Sequence, residues 1–397
     1  MRNPSPFRVD ECPPTWVRTK IRDLLEDTNH RASKASEIPL CSLTIESGVV
    51  PKSERYEREF LLKEKGTDPY KIAQWDDIVF NPMNMRFGAV ARVTISTPVR
   101  LSAYYNVLRV KDKSIILPYY LETILKWSRS VKFYDSIASG SLIEKRRVHW
   151  SALSEVELPL PPLSEQKKIS EILSCWDRGI EEIKDYKLLL RSFKAACLNF
   201  FFSQIGGESQ VEFSAVATLR RDRVDPKDIQ DEKWPRSVEL EHFEPNDGFL
   251  LGFNEGRSFG STKCCFDKGD VLFGKLRPYL RKYWLAEWSG ACSSEVWVLQ
   301  AQGISSSLLF YLVQSNAFIH AANKTTGTKM PRANYDAISS EQFWLPPKSA
   351  QEEVIGALIS LDQMIKSAEF LQKSLTIQKC GLMQQLLTGK VRVKGAA

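Results

Sequence analysis

Histidine is scarce in this chain: there are four in 397 residues, none spaced as metal ligands. The eight cysteines include no Cys-x-x-Cys pair, and Cys264 and Cys265 are neighbours, a poor geometry for one zinc ion. They read as reduced, structural thiols, which predicts a cytoplasmic compartment. No run of eighteen apolar residues occurs, so no segment is expected to span a membrane. The stretch MRNPSPFRVDECPPTW at the N-terminus has no apolar core, so no secretory signal is expected. Catalytic signatures are missing as well. TGK at 388–390 lacks the upstream glycine of a phosphate loop, GRSFGSTK (256–263) has the wrong spacing, and neither H-E-x-x-H nor G-x-S-x-G occurs. NPMN (81–84) echoes an amino-methyltransferase loop but lacks its aromatic residue, and no glycine-rich cofactor loop precedes it. VDPKDIQDEK (224–233) fits a nuclease acid cluster only loosely. These absences predict a chain without catalytic residues, without a metal and without a bound cofactor.

What is present points to a large soluble protein. A chain of 397 residues is too long for one ordinary core, and 43% hydrophobic with 26% charged residues is a globular composition. A net charge of +7 and a pI near 8.8 permit a nucleic-acid partner without demanding one.

A duplication organises the sequence. Pro161-Pro162 returns as Pro346-Pro347, Gln166 as Gln351, Leu173 as Leu358, Asp177 as Asp362 and Ile180 as Ile365, every pair 185 residues apart. After each proline pair, apolar residues recur in steps of three and four: Ile169, Leu173, Trp176, Ile180 and onward to Tyr186, Phe193 and Phe200, then Val354, Leu358, Leu361, Ile365 and onward to Leu371 and Leu386. That period is a coiled-coil seam. Ser164 and Ser349 stand where helix caps belong, and Gly206-Gly207 and Gly389 where helices end. Each helix is about forty residues, roughly 60 Å at 1.5 Å per residue. Two seams in one chain predict that the helices pack on each other antiparallel, as a spacer between globular parts.

The repeat continues more weakly outside the helices. WDDIVFNPMNMRFGAVARV (75–93) resembles KGDVLFGKLRPYLRKYWLA (268–286), SAYYNVLRV (102–110) aligns with SSEVWVLQA (293–301), and LPYYLETIL (117–125) with SLLFYLVQS (307–315). Strands and short helices mix without regular alternation, which predicts an α+β unit used twice. The expected boundaries are 1–160 and 206–345 for the units, 161–205 for the first spacer helix, and 346–397 for the second with its tail. Basic and amide side chains cluster at equivalent places in both copies: Asn81, Asn84 and Arg86 against Lys275, Arg277 and Arg281, and Lys145, Arg146 and Arg147 against Lys329, Arg332 and Asn334. Arginine and lysine can bond guanine, asparagine can bond adenine, and all can hold phosphates. These are the candidate DNA contacts, with Arg86, Arg147, Lys275 and Arg277 foremost. Tyr104 and Tyr105 read as packing residues.

The motifs LPLPPLSEQKKISEIL and LPPKSAQEEVIGALISLDQMI, with the ending QQLLTGKVRV, resemble the specificity subunit of type I restriction–modification systems. WVRTKIRDLL (16–25) looks like the entry motif of that family's first half, and VEFSAVATL (211–219) like that of the second. The first helix departs from the pattern by ending NFFFSQIGG. The resemblance implies two target-recognition domains, each reading half of a bipartite site in double-stranded DNA, in a pseudo-twofold arrangement. It implies a non-catalytic scaffold for two modification subunits, which use S-adenosylmethionine, and for restriction subunits, which use ATP and Mg. Gln166, Ile169, Leu173, Trp176, Asp177, Ile180 and their counterparts Gln351, Val354, Leu358, Leu361, Asp362 and Ile365 would form the spacer and subunit interface. The tail LTGKVRVK would return beside the first domain. The alternatives are a coiled-coil adaptor that binds proteins, or a methyltransferase or nuclease with unfamiliar motifs.

Overall fold

The computed structural model describes residues 4–8, 10–33, 36–52, 70–142, 145–225, 236–255, 260–324 and 330–393. It divides into two units: residues up to 181 together with those from 373 onward, and residues 182–372. The segments expected as spacer helices are therefore shared between the units rather than standing apart from them.

The first unit opens with β1 (Val17–Lys20), α1 (Ile21–Leu24), β2 (Leu25–Asp27), β3 (Arg31–Ala32), β4 (Cys41–Thr44) and β5 (Gly48–Pro51). There follow β6 (Tyr70–Ala73), β7 (Ile78–Phe80), β8 (Val90–Arg92), β9 (Val99–Ser102) and β10 (Asn106–Val110). Then come α2 (Pro118–Lys126), α3 (Ser128–Ile137), α4 (Trp150–Leu153), β11 (Glu157–Leu160) and the long α5 (Leu163–Phe201). The second unit repeats the order with β12 (Ser209–Glu212), α6 (Phe213–Val216), β13 (Ala217–Leu219), β14 (Arg223–Val224), β15 (Arg236–Val238) and β16 (Asn254–Glu255). It continues through β17 (Lys263–Phe266), β18 (Val271–Gly274), β19 (Tyr283–Leu285), β20 (Gly290–Cys292) and β21 (Val296–Ala301). It ends with α7 (Ser306–Leu312), α8 (Asn316–Asn323), α9 (Tyr335–Ser339), β22 (Gln342–Leu345) and the long α10 (Gln351–Leu387).

The main sheets have one topology: β2-β10-β7-β8 in the first unit and β13-β21-β18-β19 in the second. In both, the opening strand pairs with the strand that precedes the long helix, β1 with β11 and β12 with β22. The inner strands β7 (Ile-Val-Phe) and β18 (Val-Leu-Phe-Gly) are buried on both faces, which is why they carry no alternation. Each begins at an aspartate that does the same work. The Asp77 carboxylate accepts from the Gln74 amide at 2.8 Å and from the Arg109 guanidinium at 2.9 Å. The Asp270 carboxylate accepts from the Asp267 amide at 2.8 Å and from Arg220 at 2.9 Å. The residue before each aspartate takes a left-handed backbone, Asp76 at φ 72° and Gly269 at φ 94°. The short sequence repeat thus encodes a turn with one fixed acceptor.

The long helices root in these units. Ile169 and Leu173 of α5 lie in the first unit's core with Leu386 and Leu387 of α10. Val354, Leu358, Leu361 and Ile365 of α10 lie in the second unit's core with Leu190 and Leu198 of α5. Trp176 and Ile180 are half-buried. The pairing is antiparallel: in the second unit Lys187 reaches Gln372 at 2.9 Å and Lys194 reaches Asp362 at 2.5 Å. The start of each helix is fixed by glutamine. Gln166 donates to the Pro161 carbonyl at 3.0 Å, and Gln351 to that of Pro346 at 3.1 Å. Ser164 and Ser349 make no capping bond among the described residues.

The seam also differs from its sequence pattern. Tyr186, Phe193, Phe200 and Leu371 are exposed, whereas Lys194 sits at a buried position. In the second unit α5 turns the face of Leu190, Lys194 and Leu198 inward, one step round from the simple stripe.

The tail returns to the first unit. Thr388 is buried, and Arg392 forms a bidentate pair with Glu165, both bonds 2.8 Å. Gly389 makes the turn at φ 67°, and a Cβ there would lie 2.4 Å from the Pro13 ring. Gly389→Ala therefore meets both a left-handed backbone and a ring. We expect a loss of about 1–3 kcal/mol, seen in denaturant melts as a destabilised first unit. A melt equal to wild type would contradict this seat.

Candidate nucleic-acid interface

In both units, the loop after the inner strand is stitched to the loop before the short helix. In the first unit the Val148 amide donates to the Pro82 carbonyl at 2.9 Å. In the second, Ala333 donates to Lys275 at 2.9 Å and Arg277 to Pro331 at 2.8 Å. The two basic clusters that are distant in sequence are thus neighbours in each unit. Each first loop also carries a short 3-10 turn, Met85–Phe87 and Pro278–Leu280.

The side chains divide into two groups. Several are committed to holding the loops. Asn81 accepts from the Met83 amide at 3.0 Å, and Asn334 caps α9 by accepting from Asp336 at 3.0 Å. Arg86 is only 8% exposed, pairs with Asp135 of α3 at 2.9 Å and stacks on Phe87. Arg146 binds Asp135 at 3.3 Å and the Ala138 carbonyl at 2.9 Å. Arg281 donates to the Gln314 carbonyl at 3.0 Å and to Asn316 at the start of α8. Arg86 and Arg281 therefore pin equivalent turns to equivalent helices.

The others face outward. Asn84 and Lys145 are exposed, Lys275 and Arg277 half-buried, and none of the four has a side-chain partner among the described residues. Arg277 sits at φ 53°, a left-handed backbone held by the flanking bonds. Strain kept in place by surrounding structure is a feature of binding sites. Lys329 lies outside the described residues, as does most of the acidic stretch 224–233.

One equivalent pair shows how the copies diverge. Arg147 lies over the ring of Tyr104 at 5.3 Å, so this exposed tyrosine is a platform and not a packing residue. Its counterpart Arg332 is paired with Glu295 at 3.0 Å. The backbone frame is kept while the chemistry on it changes. Among the described residues no cluster of His, Cys, Asp or Glu is arranged to hold a metal, and no helix is long and apolar enough to cross a membrane.

A model of the type I restriction modification DNA specificity domain matches residues 15–190. Two relatives that match over longer spans are both named as specificity subunits. The MjaVIII specificity subunit of Methanocaldococcus jannaschii is 24% identical over 318 residues, 73% of this chain and 74% of that protein. The MjaX specificity subunit, also from Methanocaldococcus jannaschii and itself named as putative, is 23% identical over 97% of this chain and 96% of its own.

The chain is similar to the DNA specificity subunits of type I restriction–modification systems, with their domain matched over residues 15–190.

The match to the EcoDI specificity subunit of Escherichia coli, 26% identical, covers 42% of this chain and 36% of that protein. Its fold is shared with the type I restriction–modification S subunit from M. genitalium, at a TM-score of 0.55 and 13% identity over 96% and 98% of the two chains. It is shared equally with a chain from a type I system studied for complex assembly and conformational transition, at 0.54 and 14% over 96% and 99%.

The sequence pattern picks out Asp177 and Asp362 but not the tyrosines and lysines through which they hold the frame. Asp177 accepts from Tyr119 at 2.6 Å and also from Lys379, while Asp362 accepts from Tyr311 at 2.9 Å and from Lys194 at 2.5 Å. Lys194 and Lys379 stand 185 residues apart, the spacing of the helix repeat, so the signal that would have found them was present.

Proposed function

We propose that this chain reads a bipartite site in double-stranded DNA, one half-site per unit, as the non-catalytic subunit of a cytoplasmic type I complex. The loop pair built twice on the same backbone bonds carries this reading. Among the described residues Asn84 and Lys145 have no side-chain partner on one copy and Lys275 and Arg277 none on the other, so each copy offers a different set of donors to base edges and phosphates. Partner subunits fit the exposed apolar residues of the long helices, such as Leu189, Phe193 and Phe370. Two modification subunits would bring S-adenosylmethionine and adenine methylation, and restriction subunits would bring ATP and Mg; this chain would bind none of these. The test is methylome sequencing of a host without adenine methylation, given this chain and its modification subunit. A two-part adenine-methylated motif that vanishes when this chain is omitted is the expected result. An assembled complex that leaves no such motif would overturn the reading in favour of a protein adaptor.

A further inference from the structure

The second sheet of the second unit, ordered β14-β17-β20-β15-β16, carries a hollow of about 300 Å³ that reaches the loop pair at Lys275. Arg223, Ser261, Thr262, Cys264 and Ser294 line it, with Lys263. Arg223 stands directly across the strand pair from Cys264. Burial lifts the Cys264 thiol above its ordinary range, and the nearby charges of Arg223 and Lys275 pull against that lift. Lys263 is held by Glu239 at 2.6 Å, and Thr262 lies 3.5 Å from Asp225. Arg223, Lys275, Ser261 and Ser294 have no side-chain partner among the described residues.

The first unit has the same arrangement at the same place. Arg31 on β3 stands across from Lys71 on β6, as Arg223 on β14 stands across from Cys264 on β17. Arg31 gives one bond to Asn29 at 3.0 Å, and Lys71 is buried with the charge of Asp27 nearby. A cation kept at one register position in both copies, while the base-facing loops diverge, suits a contact that carries no sequence information.

We propose that the hollow seats a DNA backbone phosphate, with charge from Arg223 and Lys275 and hydroxyl donors from Ser261, Thr262 and Ser294. Arg31 with Lys71 does the same for the other half-site. The site rests on the reading of the chain as a DNA reader, and it deepens that reading by separating phosphate grip from base choice.

The test uses the assembled complex of the full chain with its modification subunits, on duplexes with and without the recognised sequence, over a salt series. Arg223→Ala should weaken both duplexes alike, on the order of threefold to tenfold, and lower the slope of log affinity against log salt by about 1. Arg223→Lys should recover most of the loss. In the wild-type complex, DNA of either sequence should slow alkylation of Cys264 by N-ethylmaleimide, read by peptide mass mapping. Unchanged affinity and slope, a loss confined to the recognised sequence, or a Cys264 rate indifferent to DNA would each overturn the phosphate seat. A wild-type complex that binds no DNA would instead overturn the functional reading, and the seat with it.

Discussion

Asp362→Ala should cost the second unit about 3–5 kcal/mol, whereas Asp177→Ala should cost the first about 1 kcal/mol or less. The two aspartates hold equivalent triads, each between a tyrosine of the globular part and a lysine of the opposing long helix. Exposure decides the difference. Lys194 is 5% exposed and Asp362 26%, while Lys379 is 19% and Asp177 48% exposed. Removing Asp362 strands a buried ammonium and leaves the Tyr311 hydroxyl without its acceptor at 2.9 Å. Removing Asp177 frees a lysine that water can reach. Denaturant titration of the full chain, followed for each unit's transition, checks this. Equal losses would show that burial does not set the strength of these triads. Lys194→Met combined with Asp362→Leu should recover most of the deficit, because an apolar pair of similar volume carries no stranded charge.

The triads also show what the sequence made readable. The spacing of 185 residues exposed both helices, their proline starts and the aspartates, because rod residues tolerate no insertion without losing register. In the globular parts the spacing drifts. The turn aspartates Asp77 and Asp270 stand 193 apart and the tyrosines Tyr119 and Tyr311 stand 192 apart. The alignment of 117–125 with 307–315 therefore missed the tyrosines by two positions. Fold class and topology survive such drift, since they depend on buried runs such as Ile78–Phe80 and Val271–Gly274. Side-chain roles do not. Arg86 and Arg277 look alike in sequence, yet one reaches Asp135 and the other reaches no side chain among the described residues, because α3 lies beside the first turn only in three dimensions. Arg31 and Arg223 drew no notice, since a two-residue strand leaves no period to read. The exposed Phe193 and buried Lys194 invert the simple seam for a related reason: α5 must satisfy a globular core and a partner helix at once.

Arg277→Ala should relax the methylated motif at one position of one half-site, by about 1–3 kcal/mol, or roughly fivefold to 150-fold in preference. The other half-site should stay as it was. Arg277 is the only one of the foremost arginine candidates with no side-chain partner among the described residues, and its left-handed backbone is fixed by the Pro331 carbonyl at 2.8 Å. Its guanidinium is therefore presented without the entropy cost of ordering a loose loop. Arg86→Ala makes the contrasting case. Its charge is spent on Asp135 and its stem is packed on Phe87, so its loss should destabilise the first unit by about 1–2 kcal/mol while the motif stays unchanged. Methylome sequencing of both variants beside wild type, with thermal melts of each, separates the two roles. A motif relaxed by Arg86→Ala and untouched by Arg277→Ala would mean that the turn carries recognition and the free arginine does not, the reverse of what their partners imply.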